Sequence, residues 1–420
     1  MTEQKKIRPP LSVISSFTDF VGEHSSVIKE SLLALLICAM GDLCAGVILG
    51  KMTLFLELLP GLLVIIPGAI GMRGNIFGSF ASRLSTSLHI GIISPKFEFS
   101  EELKYNIFSS FVLTLVLSLF LAIFAKILCI LMHQPSMRLD DFILICVIAG
   151  IISTLVMIPI TLFISFKSFE NGWDPDNITG PIIAAFGDLF TLPAIILSVY
   201  ILQAINFSFI LKESILVIIL ISVFLSFIYC YRLSDETKTI LKQSTPVLLL
   251  CSFLGGAAGG ILNTASETLL TNPSLLTLLP LFSGECGSLI SILGARLSSG
   301  LHSGLIEPFR KPEGETVHNF IICYILAVIV FPVIGFLAEE SSNIIGVVGI
   351  GFDKIIEISA LSGIILVTIM MIISYYVSIT SYSHNLDPDN IVIPVTTSIT
   401  DSISSLILVS VSLLILGVLL

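Results

Sequence analysis

A chain of 420 residues that is 55% hydrophobic and only 12% charged is not an ordinary soluble protein. Its formal charge of -10 is spread over loops rather than gathered in a tail, which argues against a nucleic-acid partner. Apolar stretches of about 20 residues recur, each long enough to cross a hydrocarbon core of roughly 30 Å. None alternates polar and apolar residues as barrel strands do, so the fold class is an all-α polytopic membrane protein embedded in a lipid bilayer.

Residues 1–30 are polar and lack the short apolar core of a signal peptide. Lys5, Lys6 and Arg8 favour a cytoplasmic start. The first span covers Ser31 to Gly50 and is interrupted by Asp42. The second starts near Leu54, passes Pro60 and Pro67, is expected to break over the Gly-rich stretch 68–75, and resumes over 76–90. Uniformly apolar spans follow over 107–131 and 142–166, then a fifth over 178–202 and a sixth over 210–231. The series then restarts over 246–262, 275–301, 320–337, 355–379 and 391 to the C-terminus, about eleven spans in all. The eight cysteines lie in or beside these runs with no close metal-type pairing, so they read as small packing residues.

The restart is a duplication. Arg83 and Arg296 stand 213 residues apart (296 − 83 = 213), and so do Asp188 and Asp401 (401 − 188 = 213). At that offset Gly74, Leu84, Ser85, Leu88, His89, Gly91 and Pro95 meet identical residues, as do Pro181 and Pro394 and the strings at 174–178 and 387–391. A shared apolar bias cannot place rare Arg, His, Asp and Pro in one register. The expected division is a cytoplasmic segment 1–30, a five-helix repeat 31–205, a linker helix and loop 206–243, and a second five-helix repeat 244–420. Two repeats of five spans would lie in opposite orientations. The sixth span returns the chain, so the repeats are expected to be parallel about an axis along the membrane normal. Lys96, Lys104, Arg232, Lys238, Lys242, Arg310 and Lys311 gather on the N-terminal side, which makes that side cytoplasmic and the C-terminus external.

Ionisable groups inside a membrane are costly, and by default they mark function. Pro181, Ala184, Asp188 and Thr191 share one helical face, as do Pro394, Thr397, Asp401 and Ser404. A parallel twofold brings these faces together, so Asp188 and Asp401 look across the axis, where two ionised carboxylates repel unless a cation lies between them or one is protonated. Carboxylate, hydroxyl and carbonyl donors suit hard cations such as Mg²⁺, Ca²⁺ or Mn²⁺. Asn75, Ser79, Ser82, Thr86 and His89 form a polar stripe that either lines a cavity or packs helices closely. Its second copy begins at Ser288 and is half lost. Glu285, aligned with Met72, is a further candidate cation ligand. Asp42 aligns with Gly255 and either lines an outer vestibule or caps a kink. Arg83 and Arg296 are expected near the cytoplasmic end, paired with Asp174 and Asp176 and with Asp387 and Asp389. In the rival reading those acids gather cations at the inner mouth.

The stretch Gly74-Asn75…Ala81-Ser82-Arg83-Leu84-Ser85-Thr86 resembles the second-helix signature of the MgtE-type magnesium transporters and their duplicated eukaryotic relatives, the solute carrier magnesium transporters. Residues 174–177, Pro181 and Ala184-Ala185-Phe186-Gly187-Asp188-Leu189 resemble the fifth-helix signature of the duplicated branch, and Pro394-Val395-Thr396-Thr397…Asp401 is similar to the bacterial form. The resemblance implies a Mg²⁺-permeable path between two five-helix units within one monomeric chain, in the cell membrane. It makes Asp188 and Asp401 central cation ligands; on the residues' own pattern Thr191, Thr397 and Ser404 are expected to complete the ring, with Asn75, Ser288 and Glu285 as further candidates. No cofactor and no enzymatic activity are implied. The 30 residues before the first span are too few for the sensor domains of bacterial members, so their gating is not expected to carry over. Alternatives are a sodium- or proton-coupled exchanger for Ca²⁺ or Mn²⁺, or a membrane enzyme using the paired Asp, although no zinc motif, nucleophile with a base, or phosphate loop is present.

Overall fold

The computed structural model describes residues 19–89, 91–94, 100–171, 175–205, 209–308, 311–384 and 388–417, leaving out the side chains at 86, 89, 175–181, 302 and 388–394. The expected partners Asp174, Asp176, Asp387 and Asp389, with the side chains of His89 and His302, lie outside the described residues.

In lipid every backbone polar group must be satisfied within the protein, and long apolar runs do this as helices. Among the described residues eleven helices are long and apolar enough to cross a membrane, and no strand occurs. The first repeat comprises α1 (Ser25–Gly50), a short α2 (Thr53–Leu58), α3 (Leu62–His89), α4 (Glu101–Leu131), α5 (Leu139–Glu170) and α6 (Pro175–Ile205). α7 (Phe209–Leu233) follows. The second repeat is α8 (Asp235–Thr264), short α9 (Ser266–Thr271), α10 (Pro273–Ser303), α11 (Glu315–Ile344), α12 (Phe352–Ser383) and α13 (Pro388–Leu416). Even the short helices keep register, since 266 − 53 = 213.

Local signals set the ends. Ser100 accepts the Leu103 N–H at 3.2 Å, with Glu101 and Glu102 in the first turn of α4, where negative charge faces the positive helix end. Ser234 and Thr237 form a capping box that starts α8 at Asp235, earlier than the apolar run beginning at Pro246 suggests.

The expected Gly-rich break is not there. α3 runs unbroken through 68–75, and the interruption comes earlier, at Leu59 to Gly61, where Gly61 takes φ +87°. An opened helix at 68–75 would strand carbonyls inside the bundle. The glycines instead admit neighbours: a Cβ at Gly68 would meet Leu121, and one at Gly74 would touch Ala184. Free carbonyls from a break therefore cannot serve as ligands. The helical irregularity that remains is Pro67 inside α3, matched by Pro280 inside α10.

The two repeats are joined by α7, the extra span between them. α7 exposes Val217, Ile218, Ile221, Phe224 and Leu225 to the lipid side. Its Lys212 reaches Asp140 at 2.6 Å and Asp141 at 2.5 Å on α5. Those acids belong to a loop by sequence, yet Asp140 is buried in this contact.

The repeats exchange their first helices. α1 packs mainly against α10 and also against α11 and α6, while α8 packs mainly against α3 and also against α4 and α13. The seams are equivalent glycine contacts. A Cβ at Gly46 would run into the Thr277 carbonyl, and one at Gly259 into the Val64 carbonyl, with 259 − 46 = 213 and 277 − 64 = 213. Gly259→Val should therefore cost roughly 2–4 kcal/mol through overpacking against backbone that cannot yield. Thermal melting in detergent checks this, with Gly78→Ala as the control because a Cβ there meets nothing within 4 Å.

Candidate ion site

Helix exchange decides which residues meet at the centre. Asp188 on α6 lies within electrostatic reach of Asp42 on α1 and Asp401 on α13. Asp42 in turn feels Glu285 on α10 as well as Asp401. Four spans drawn from both repeats thus each bring one carboxylate to a single central cluster, in which Asp42 and Glu285 are buried and Asp188 and Asp401 half-buried.

The four acids are held differently. Asp401 accepts a hydrogen bond from Ser283 Oγ at 3.0 Å. Ser404 Oγ sits 3.2 Å from Ser283 Oγ and 2.9 Å from the Asp401 carbonyl, so Ser404 supports the carboxylate through Ser283. Gly71 of α3 lies beside Asp401, leaving a Cβ there 3.4 Å from Oδ2. In the first repeat Ile70 replaces Ser283 (283 − 70 = 213), and Thr191 donates back to the Gly187 carbonyl at 2.6 Å. Asp188 therefore lacks the serine bracket that orients Asp401. Asp42 is 2% exposed and packs against Gly284, where any Cβ would run into its carboxylate. Glu285 is 0% exposed, and neither carboxylate oxygen has a hydrogen-bond partner among the described residues.

Among the described residues no Lys or Arg hydrogen-bonds or ion-pairs with any of the four. Arg73, the nearest buried cation in sequence to this level of α3, turns away and donates to Ser153 Oγ on α5 at 2.7 Å. Ionised carboxylates held away from water and from basic groups cost several kcal/mol each, so the cluster either takes up protons or draws positive charge from outside the chain. No three of its carboxylates and thiols bring ligand atoms within 4.8 Å of one another, among the described residues. That spacing does not make a tight dehydrated cage. An ion that keeps its water needs a wider seat than such a cage, with groups on opposite sides of a hexahydrated Mg²⁺ roughly 9–10 Å apart.

The other expected residues fall in three places. Ser288 hydrogen-bonds Cys38 of α1, and Cys38 feels Glu285, Asp42 and Asp188 at the chamber wall. Asn75 and Thr397 are half-buried on α3 and α13. Arg83 and Arg296 sit elsewhere, away from the carboxylates. Arg83 Nε donates to Asn106 Oδ1 at 2.7 Å and Nη2 to Ser110 at 3.1 Å, while Arg296 Nε donates to Asn319 Oδ1 at 2.6 Å. Asn106 and Asn319 are themselves a repeat pair (319 − 106 = 213), a rare polar match in apolar spans that sequence reasoning passed over. It also left Asp42 undecided, because position 255 holds no acid; the signal was a carboxylate at mid-span.

Comparison with known proteins meets the same duplication. The family model MgtE, described as a divalent cation transporter, matches residues 66–198 and again 279–411, an offset of 213 at both ends (279 − 66 and 411 − 198). Solute carrier family 41 member 2 of Xenopus laevis is 26% identical over 292 residues, 68% of this chain and 51% of that protein. The Homo sapiens member 2 is 25% identical over 310 residues, covering 69% and 53%, and member 3 of Rattus norvegicus is 26% identical over 291 residues, covering 66% and 62%. The matches to member 2 span about half the length of those relatives. No solved structure matches. With both repeats matched in register and the four-helix chamber between them, the chain belongs to the MgtE family.

Proposed function

We propose that the protein moves a divalent cation, Mg²⁺ foremost, through the chamber between its two repeats. The observation that carries this is the set of four interior carboxylates, from four spans, with no basic partner among the described residues. Asp188 and Asp401 hold the hydrated ion, with Thr191, Thr397 and Ser404 around it. Asp42 and Glu285 form an acidic wall on the α1–α10 side, and Asn75 and Ser288 line the approach. The site lies between repeats of one chain, so the monomer is the working unit. The face where α1 begins is cytoplasmic by its positive loops, in a cell membrane. Arg83 and Arg296, seated on their asparagines, anchor the cytoplasmic end of α3 and α10, with Asp174, Asp176, Asp387 and Asp389 flanking them.

With no tight three-ligand cage among the described residues of the cluster, the reading is that the ion is recognised with its first water shell in place. Reconstituted into liposomes with a Mg²⁺-sensitive dye inside, the protein should admit Mg²⁺ down its gradient. Cobalt(III) hexaammine, an inert cation of hydrated-Mg²⁺ size, should inhibit competitively. No Mg²⁺ flux would overturn the reading, and flux untouched by cobalt hexaammine would overturn recognition of the hydrated ion. A flux that appears only with an opposing Na⁺ gradient assigns exchange rather than a channel.

A further inference from the structure

A second group of ligating side chains lies far from the chamber, at the face where α1 and α11 begin, and the transport reading makes no use of it. His24 immediately precedes α1, while Glu315 and His318 occupy the first turn of α11. Each offers one ligand atom, and the three atoms all lie within 4.8 Å of one another. We propose that His24, Glu315 and His318 form a binding site for a transition-metal dication of the Zn²⁺ class, which staples the first span of one repeat to the third helix of the other.

Four features support this. Glu315 and His318 are separated by one helical turn on one face, the spacing that lets a carboxylate and an imidazole share an ion. His318 Nδ1 lies 3.3 Å from Glu315 Oε2. That is about the separation of two ligands on a tetrahedral ion with bonds near 2.0–2.1 Å. His24 Nδ1 is 3.1 Å from the Phe20 carbonyl, which can only accept, so Nδ1 carries the proton and Nε2 keeps its lone pair. Metal-bound histidines are usually oriented through such a second hydrogen bond. Phe20 stacks on His24 at 4.4 Å between centroids and meets His318 edge-on at 5.5 Å, giving the site an apolar back wall.

Two imidazoles and one carboxylate select against Mg²⁺ and Ca²⁺, which prefer all-oxygen shells, and in favour of Zn²⁺, Ni²⁺ or Co²⁺. Three protein ligands leave a fourth position for water. The transported ion and the stapling ion are thus chemically distinct, and this site stands whether or not the chamber conducts.

The test uses the full chain in detergent with Zn²⁺ alone, then with excess Mg²⁺. Titration calorimetry should show one Zn²⁺ per chain with a Kd on the order of micromolar, unmoved by millimolar Mg²⁺. His24→Ala or His318→Ala should weaken it about 100-fold and Glu315→Gln about tenfold. Co²⁺ should give the intense visible absorption of a tetrahedral centre, lost in the His24→Ala/His318→Ala double variant. His318→Cys should keep the ion and add thiolate-to-metal absorption, a gain that misfolding cannot imitate. Zn²⁺ should raise the melting temperature of the parent and leave the double variant unmoved. Failure of the parent to bind Zn²⁺, or undiminished binding by the double variant, would overturn the site. Mg²⁺ flux measured without Zn²⁺ should be equal in parent and double variant, which separates this outcome from any failure of the transport reading.

Discussion

Asp188→Asn and Asp401→Asn should each reduce Mg²⁺ flux in liposomes at least about tenfold, and the double variant should lie at the protein-free background. Asparagine keeps the shape and removes the charge, so packing is not the variable. A charge-assisted hydrogen bond is worth about 1.5–3 kcal/mol, and tenfold is about 1.4 kcal/mol. The two residues should not respond equally. Asp401 is bracketed by Ser283, with Ser404 behind it, whereas Asp188 has no such hydroxyl. Ser283→Ala should therefore lower flux severalfold by letting the Asp401 carboxylate turn, while Ile70→Ser should add a bracket at the first-repeat position. Flux unchanged in both Asn variants would remove the central site from the mechanism.

The asymmetry was partly legible before the structure. The register of Asp188 with Asp401 and the apolar spans follow from the sequence through rare residues recurring at one offset, and an odd number of spans per repeat makes the parallel arrangement the expected one. Two things did not follow. The first is helix exchange, which depends on glycine seams at Gly46 and Gly259; the same glycines read along one strand of sequence look like flexibility. The second is the continuity of α3 and α10. Eight residues with three glycines, 68–75, read as a break, but in the bundle interior the backbone has no water to turn to and stays helical. Exchange is also what makes Asp42 intelligible. Within its own repeat it meets Asp188 of α6, and its second acidic neighbour, Glu285, comes from α10 of the other.

Glu285→Gln should move stability and function in opposite directions. Glu285 is 0% exposed with both oxygens unpartnered, and Asp42 is 2% exposed against Gly284. Two ionised carboxylates within electrostatic reach repel each other, in addition to the cost of burying either. At the equivalent positions of the other seam stand Met72 and Gly255, so the fold itself does not require acids here. The chain retains beside the central site a pair that is destabilising when ionised and is relieved by a proton or by a bound cation. In metal-free buffer Glu285→Gln, and more so the Asp42→Asn/Glu285→Gln double variant, should melt at a higher temperature than the parent. Added Mg²⁺ should stabilise the parent by about 2.7 kcal/mol at a hundred times its Kd, and the double variant by much less at the same concentration. In liposomes the half-saturating Mg²⁺ concentration should rise roughly tenfold for the double variant, with flux persisting at high Mg²⁺ because Asp188 and Asp401 remain. A double variant that melts lower without Mg²⁺ and responds to Mg²⁺ as the parent does would show the pair to be structural. Higher intrinsic stability with weaker Mg²⁺ dependence would identify Asp42 and Glu285 as the wall that concentrates cations next to the Asp188–Asp401 seat.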